Sequence, residues 1–373
     1  MDLESSALLK FALDAVNSAI ARGEFTAQDD EQVSNALLQA MTQAIEQSRE
    51  LTPGNHERFR RSIEKRKPIR QRSMAKVRRS NLRRWGRGLR YYTNCLATAE
   101  AMNKMLEDCI REWVRGDSTV MQKERLLGVK NTMGGRPLKC LTMLALQSRA
   151  CSIGNEIFLL AEHGFSEAVK ARTRSLHELM VIADSLSVRG EGDTVVSDRY
   201  GAWTVAEARK ELRALSALGV TTEPLSGQDA ELEKRAEAAW GTDFFKQNGW
   251  AAPLFPGRRP PIPFSDIEKL VGRDHRRGYY LAGNDAIHAG PSALTSRARF
   301  RDGAIFPTIN EVHHETTRTF LAVAAITLSD VCIAACKAIA SITEDFDVLF
   351  AIKTMKDAVE MARAEFESGG MRA

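Results

Sequence analysis

Apolar residues in this chain return every three or four positions over long stretches. Leu82, Trp85, Leu89, Tyr92 and Leu96 stand 3, 4, 3 and 4 apart, one apolar face of an α-helix. The long proline-free intervals after Pro68, Pro137 and Pro307 are rich in Ala, Leu, Glu, Lys and Arg, which favour helix. The pattern predicts helices near Ser6–Arg22, Asp30–Leu51, Arg72–Arg115, Leu138–His163, Ser166–Val188, Val205–Leu218, Asp229–Trp240, Ser265–Ala289, Thr308–Ile342 and Glu344–Ser368. Gly164 separates two of them so closely that they should form an antiparallel hairpin. Thr308 with Glu311 makes a capping box. Arg297–Arg301 and Ala304–Phe306 flank Asp302-Gly303, the signature of a small two-stranded hairpin. Gly249–Pro263, rich in Pro and Arg, is expected to be an irregular linker or lid.

The fold class expected is therefore all-α: a multi-helix bundle with a long basic helix in its N-terminal region and at most one small β-hairpin. The expected division is 1–135, a helical region carrying the basic segment 58–90, and 136–373, a helical bundle carrying the polar motifs. Phe320–Ile342 is apolar and Ala-rich, but Asp330 and Lys337 interrupt it. It is expected to be a buried central helix, not a membrane span.

Composition narrows the class without naming a chemistry. At 373 residues, 43% hydrophobic and 27% charged, the chain is neither disordered nor collagen-like and can bury a core. Its start, Met1-Asp2-Leu3-Glu4, has no basic stretch followed by an apolar run, so no secretory leader is expected. Cys95, Cys109, Cys140, Cys151, Cys332 and Cys336 form no Cys-x-x-Cys pair, and are expected to be reduced core residues of a cytoplasmic protein. Cys332 and Cys336 share a helix face without a matching second pair. His313-His314 would point about 100° apart on a helix. Neither set is expected to hold a metal, and no cofactor is expected.

Charge is informative by location. Between Arg58 and Arg90 stand fifteen basic residues opposed only by Glu64, a local charge of +14 that leaves −9 for the rest of the chain. Such a segment attracts polyanions. Arg72, Lys76, Arg78, Arg79, Arg83, Arg84 and Arg87 are the residues expected to contact nucleic acid, RNA in the first place, through phosphates and without sequence preference. The plainer alternative is a basic face packed on an acidic partner domain.

No Walker A loop, Rossmann glycine run, Gly-x-Ser-x-Gly or His-Glu-x-x-His is present. The polar positions that could carry chemistry lie in two segments. Arg277, Tyr280, Asn284 and His288 are spaced 3, 4 and 4, one polar stripe of a helix. Gly290-Pro291 ends that helix, so His288 sits in its last turn, where the dipole favours the imidazolium. Arg174 and Glu178 are four apart and can pair. The plainer reading of both segments is a polar seam that fixes helix register. Arg172 and His177 fit the spacing Arg, four to six residues, His, but Arg49 with His56 fits it too, so that spacing alone carries no weight.

Arg174-Ser-Leu-His-Glu178, followed about a hundred residues later by Tyr279-Tyr280, Asn284 and His288-Ala-Gly-Pro-Ser292, resembles a bacterial helical family of unknown function. There a helix with Arg-x-x-x-Glu faces one ending in Ser/Asn-x-x-x-His. The likeness covers about Leu138–Ile342. Asn284 stands where Ser is expected, and Ala289 where Pro is usual. The resemblance implies a helical fold and no activity; the activity expected from the residues is that of a HEPN-like metal-independent ribonuclease, with His288 as acid/base, Arg174 or Arg277 stabilising phosphate charge, Glu178 orienting Arg174, and Tyr280 and Asn284 positioning substrate. The alternative is a non-catalytic protein that binds nucleic acid or another protein. A homodimer is expected from the apolar faces of the terminal helices.

Overall fold

The computed structural model describes residues 53–116, 135–188, 194–220, 227–288, 298–301, 304–307, 313–345 and 348–368, with scattered helical positions between 14 and 42. In chain order these form α1 (Pro53–Gly116), α2 (Arg136–Glu162), α3 (Ser166–Ser187), α4 (Val195–Ala217), α5 (Gly227–Trp240), 3-10 turns at Thr242–Phe245 and Gly249–Leu254, α6 (Phe264–Leu270), a 3-10 turn at Asp274–Arg276, and α7 (Arg277–Ile287). The strands β1 (Ala298–Arg301) and β2 (Ala304–Pro307) follow, then α8 (His314–Thr343) and α9 (Val348–Ser368). The protein is an all-α bundle with one antiparallel hairpin, registered Ala298 to Pro307 and Arg301 to Ala304.

Contacts divide the chain into two compact units, 1–76 and 77–373, and the division falls inside α1. The expected border at 135/136 lies within the second unit. Helix α1 begins well before Arg72 and runs through Pro68. Pro68 is exposed, so the carbonyl it leaves without an amide donor is open to solvent, and helix-favouring residues on both sides carry the turn past it.

In the second unit the core gathers around α8, which packs against α2, α3 and α9. Its Ala322, Ala324, Ala325, Ala334, Ala335 and Ala338 are buried and let neighbouring backbones come close. Among the described residues α8 is the one helix long and apolar enough to cross a bilayer, but 72% of its most apolar window is covered by protein. Trp85, Leu89, Tyr92 and Leu96 of α1 are buried as their spacing requires, whereas Leu82 is 38% exposed and Asn81 takes the inward place. Gly164, at φ 81°, closes the α2–α3 hairpin with Phe165 N–H donating to Leu160 O at 2.9 Å, a left-handed C-terminal cap.

Several expectations are corrected. The helix drawn over Ser265–Ala289 is broken: Gly272 adopts φ 69° and ends α6, and Arg273 N–H returns to Glu268 O at 2.8 Å. The segment Gly249–Pro263 is no lid, because Trp250, Ala251, Leu254 and Ile262 are buried. Helix α4 starts at Val195, not Val205. Helix α8 starts at His314, with His313 N–H donating to Ser166 Oγ at 3.1 Å; the Thr308–Glu311 box lies outside the described residues. Glu344 is left-handed at φ 58° and separates α8 from α9. Met355, Val359, Ala362 and Phe366 of α9 are buried, while Phe350 and Met361 of the same helix stay exposed. The apolar positions of Ser6–Arg22 lie mostly outside the described residues.

All six cysteines are free and buried. Burial pushes the Cys95, Cys140 and Cys336 thiols up to about 12 and Cys151 to about 11.

Candidate functional site

The two polar segments meet because α7 lies directly on α3. A glycine permits this. A Cβ on Gly283 would fall 2.6 Å from Arg174 Cβ and 3.0 Å from Lys170 O, so any side chain there would force the helices apart. One turn earlier on α7, Tyr280 reaches across. Arg174 Nη2 pairs with Glu178 Oε1 at 3.0 Å and donates to the Tyr280 hydroxyl at 3.3 Å. The hydroxyl in turn donates to Glu178 Oε1 at 3.2 Å. The guanidinium lies over the Tyr280 ring, 5.0 Å from its centroid. Burial holds the Tyr280 phenol above its ordinary pKa. Arg174 and Glu178 are 19% and 35% exposed, so the group is partly wet.

Tyr280→Phe should cost about 1 kcal/mol, since the ring stays while one shared hydrogen-bond partner is lost. Thermal melts of the two proteins measure it, and an unchanged melting temperature would contradict the bonded arrangement.

The rest of the expected stripe separates. Arg277 forms a short ion pair with Glu268, a residue of α6 with no exposure at all. Glu268 also accepts from His177 Nε2 at 2.8 Å. Desolvation lowers the His177 pKa, partly opposed by the bond to Glu268. Arg172 turns to Glu156 instead, at 2.5 Å, so Arg172 and His177 do not act as a unit. Asn284 Oδ1 and Arg174 Nε are buried without a hydrogen-bond partner. His288 is exposed at the end of α7, its backbone N–H donating to Asn284 O at 2.9 Å. Eight residues of helix carry it about 12 Å along the axis from Tyr280. Among the described residues no hydrogen bond or ion pair joins it to Arg174 or Glu178.

A second network, missed from the sequence, lies deeper. Arg273 pairs with Asp184 of α3 at 2.7 Å and with Asp330 of α8 at 3.1 Å, and Arg276 pairs with Asp330 at 2.7 Å. Desolvation raises the Asp184 pKa, against the pull of Arg273. The legible signal was Asp330, a carboxylate in the middle of an apolar helix. Glu268 gave no such signal.

The basic residues stay on the surface. In the first unit Arg72 and Lys76 are exposed. In the second unit Asn81, fully buried, donates to Ala161 O and Glu162 O at 3.1 and 3.2 Å. It satisfies carbonyls at the end of α2 and locks the rotation of α1 so that Arg78, Arg79, Arg83, Arg84, Arg87 and Arg90 remain exposed. Arg78 pairs with Glu162 at 2.9 Å and Arg87 with Glu365 at 3.3 Å. Among the described residues Arg83, Arg84 and Arg90 have no ion-pair partner.

Residues 142–305, less than half of the chain, match a family of unknown function (DUF5677). The matched stretch contains α3 and α7 and leaves out the basic helix. No curated protein and no solved structure matches the chain.

Proposed function

We propose that the protein binds nucleic acid, RNA above all, through the phosphate backbone and without reading sequence. The observation that carries this is the run of exposed arginines on α1 within the second unit, of which Arg83, Arg84 and Arg90 lack an internal counter-charge among the described residues. Among the described residues Glu162 pairs with Arg78 and Glu365 with Arg87 on this face. Unneutralised cations on a rigid helix are what a polyanion displaces counterions to meet.

The test is a salt titration with labelled RNA. The logarithm of the affinity should fall linearly with the logarithm of salt, and Arg83→Ala/Arg84→Ala should reduce the slope by about 2, close to one per phosphate contact. Binding indifferent to salt, or no binding, overturns the reading.

A second reading, metal-independent RNA cleavage of the HEPN kind, draws support from the half-wet Arg174–Glu178–Tyr280 group and its unpartnered Arg174 Nε and Asn284 Oδ1. Here Arg174 steadies the phosphorane charge, and His288, which stands about 12 Å along α7 from that group, is the proton donor or acceptor whose part the His288→Ala comparison decides. Incubation of RNA with the protein in EDTA separates the two. Cleavage lost in His288→Ala supports the enzyme; intact RNA, or cleavage unaffected by the substitution, leaves the seam a structural device. The cytoplasmic location and the homodimer are part of the same proposal, the latter checked by light scattering at low salt.

A further inference from the structure

One face of α4 is chemically pointed. Trp203, Ala206, Lys210 and Arg213 stand 3, 4 and 3 apart and share a helix side. That side, together with the carboxylate Glu207, forms a wall of a groove of about 570 Å³, whose other wall includes Phe245 and Asn248. This is a size that suits a small ligand.

Two properties of the groove are set before anything binds. Its aromatic surface is fixed. The Trp203 ring meets the buried Phe244 edge-on at 5.5 Å, and its Nε1–H donates to Glu207 Oε1 at 3.1 Å. Arg209 lies 4.8 Å over the Phe245 ring and is tied to Glu233 at 3.1 Å. Asn248 is anchored by its amide, which donates to Ile262 O at 2.8 Å. The cations beside these rings, by contrast, are uncommitted. Lys210 and Arg213 are exposed, and among the described residues neither has an ion-pair partner. Helix side chains lean toward the N-terminal turn, which tilts both toward Trp203.

We infer that this groove is a nucleotide-binding site, in which a nucleobase stacks on Trp203 and its phosphate is held by Lys210 and Arg213. An aliphatic acid would leave the aromatic surface without use, and a neutral aromatic would leave the cations without use. A base joined to a phosphate uses both, and stacking on an aromatic residue is tolerant of which base it is. The same chemistry is offered by a free nucleotide and by one unit of a single strand. The site shares no residue with the basic helix, so it stands apart from the reading of that helix.

The probes are 2-aminopurine riboside monophosphate and a single-stranded RNA 10-mer carrying one 2-aminopurine, whose fluorescence is quenched on stacking. The full chain should quench at least one of them. Lys210→Glu/Arg213→Glu, confined to exposed positions, should weaken that binding by about ten- to hundredfold, the worth of one or two charge-assisted bonds. Trp203→Phe, which keeps a ring against Phe244, should reduce the quenching more than the affinity. Loss of the monophosphate identifies a free-nucleotide site, and loss of the 10-mer alone a strand site; both support the inference. Arg83→Glu/Arg84→Glu serves as the separate control on α1. If that variant alone weakens the 10-mer and the α4 variant binds both probes like wild type, the groove is discarded and the basic helix stands. If the α4 variant weakens binding and the α1 variant does not, the groove stands and the basic-helix reading falls. Failure of both probes to bind discards the groove.

Discussion

Glu268→Ala should destabilise the second unit by about 2–3 kcal/mol, the cost of leaving the buried His177 ring without its acceptor, with little added by Arg277, which is 39% exposed. The Glu268 carboxylate has no exposure and accepts from two helices at once, from His177 on α3 at 2.8 Å and from Arg277 on α7. Its removal leaves a buried imidazole and a guanidinium without their acceptor, and opens a cavity where α6 meets α3. Urea unfolding should show a lower midpoint with an unchanged slope. A loss below about 1 kcal/mol, the range of exposed pairs, would mean that the network contributes nothing beyond a surface contact. The pH dependence has a definite sign. Desolvation lowers the folded-state pKa of His177, while in the unfolded chain an imidazole titrates near 6.5. Between those two values the unfolded state holds more protons, so stability rises with pH there. The contribution is therefore full above about 6.5 and is lost as acidification carries the protein down through the folded value. Without Glu268 the one bond that favours the imidazolium is gone, so the loss should continue to lower pH in Glu268→Ala than in wild type.

Asp330→Ala should cost about 3 kcal/mol, toward the lower end for a broken buried pair because its partners are partly wet. Asp330 is shared by Arg273 at 3.1 Å and Arg276 at 2.7 Å, with Asp184 as the fourth member. The four charges cancel. Deleting Asp330 leaves two guanidiniums, 22% and 14% exposed, facing one carboxylate in the seam between α3 and α8. A compensating change distinguishes charge from packing. Asp330→Leu with Arg276→Met restores one-to-one pairing of Arg273 with Asp184, and should regain most of the loss, since well-packed apolar replacements of a buried pair are often neutral or better. A double variant as unstable as the single would show that Asp330 acts through shape rather than charge.

What could be read without coordinates followed from local periodicity. The helical pattern located α3 to within a residue, because Ser166–Ser187 lies between a left-handed glycine and the loss of its apolar period. It also found the hairpin, whose Asp-Gly turn signal lies between two short β-type runs. It failed where helix propensity competes with a single residue. The helix expected from Arg72 extends back through Pro68, because on an exposed helix one missing bond is tolerated. The single helix expected over Ser265–Ala289 is divided at Gly272, a left-handed joint between α6 and α7. Of the candidate site, the spacing of Arg174 and Glu178 foretold their ion pair. The stripe on α7 foretold that Tyr280 shares their face, but not that Arg277 leaves it for Glu268.

By itself, then, the sequence determined the all-α class, the basic face of α1 and the burial of Phe320–Ile342, since each depends on residues within a few turns of one another. Only the tertiary structure decided which charges neutralise which. His177 with Glu268, Arg273 with Asp184 and Asp330, and Arg174 with Tyr280 join residues 57 to 106 positions apart. No local period encodes such partners. They are selected by where helices cross, and those crossings depend on features as small as the missing Cβ of Gly283 and the carbonyl cap made by Asn81.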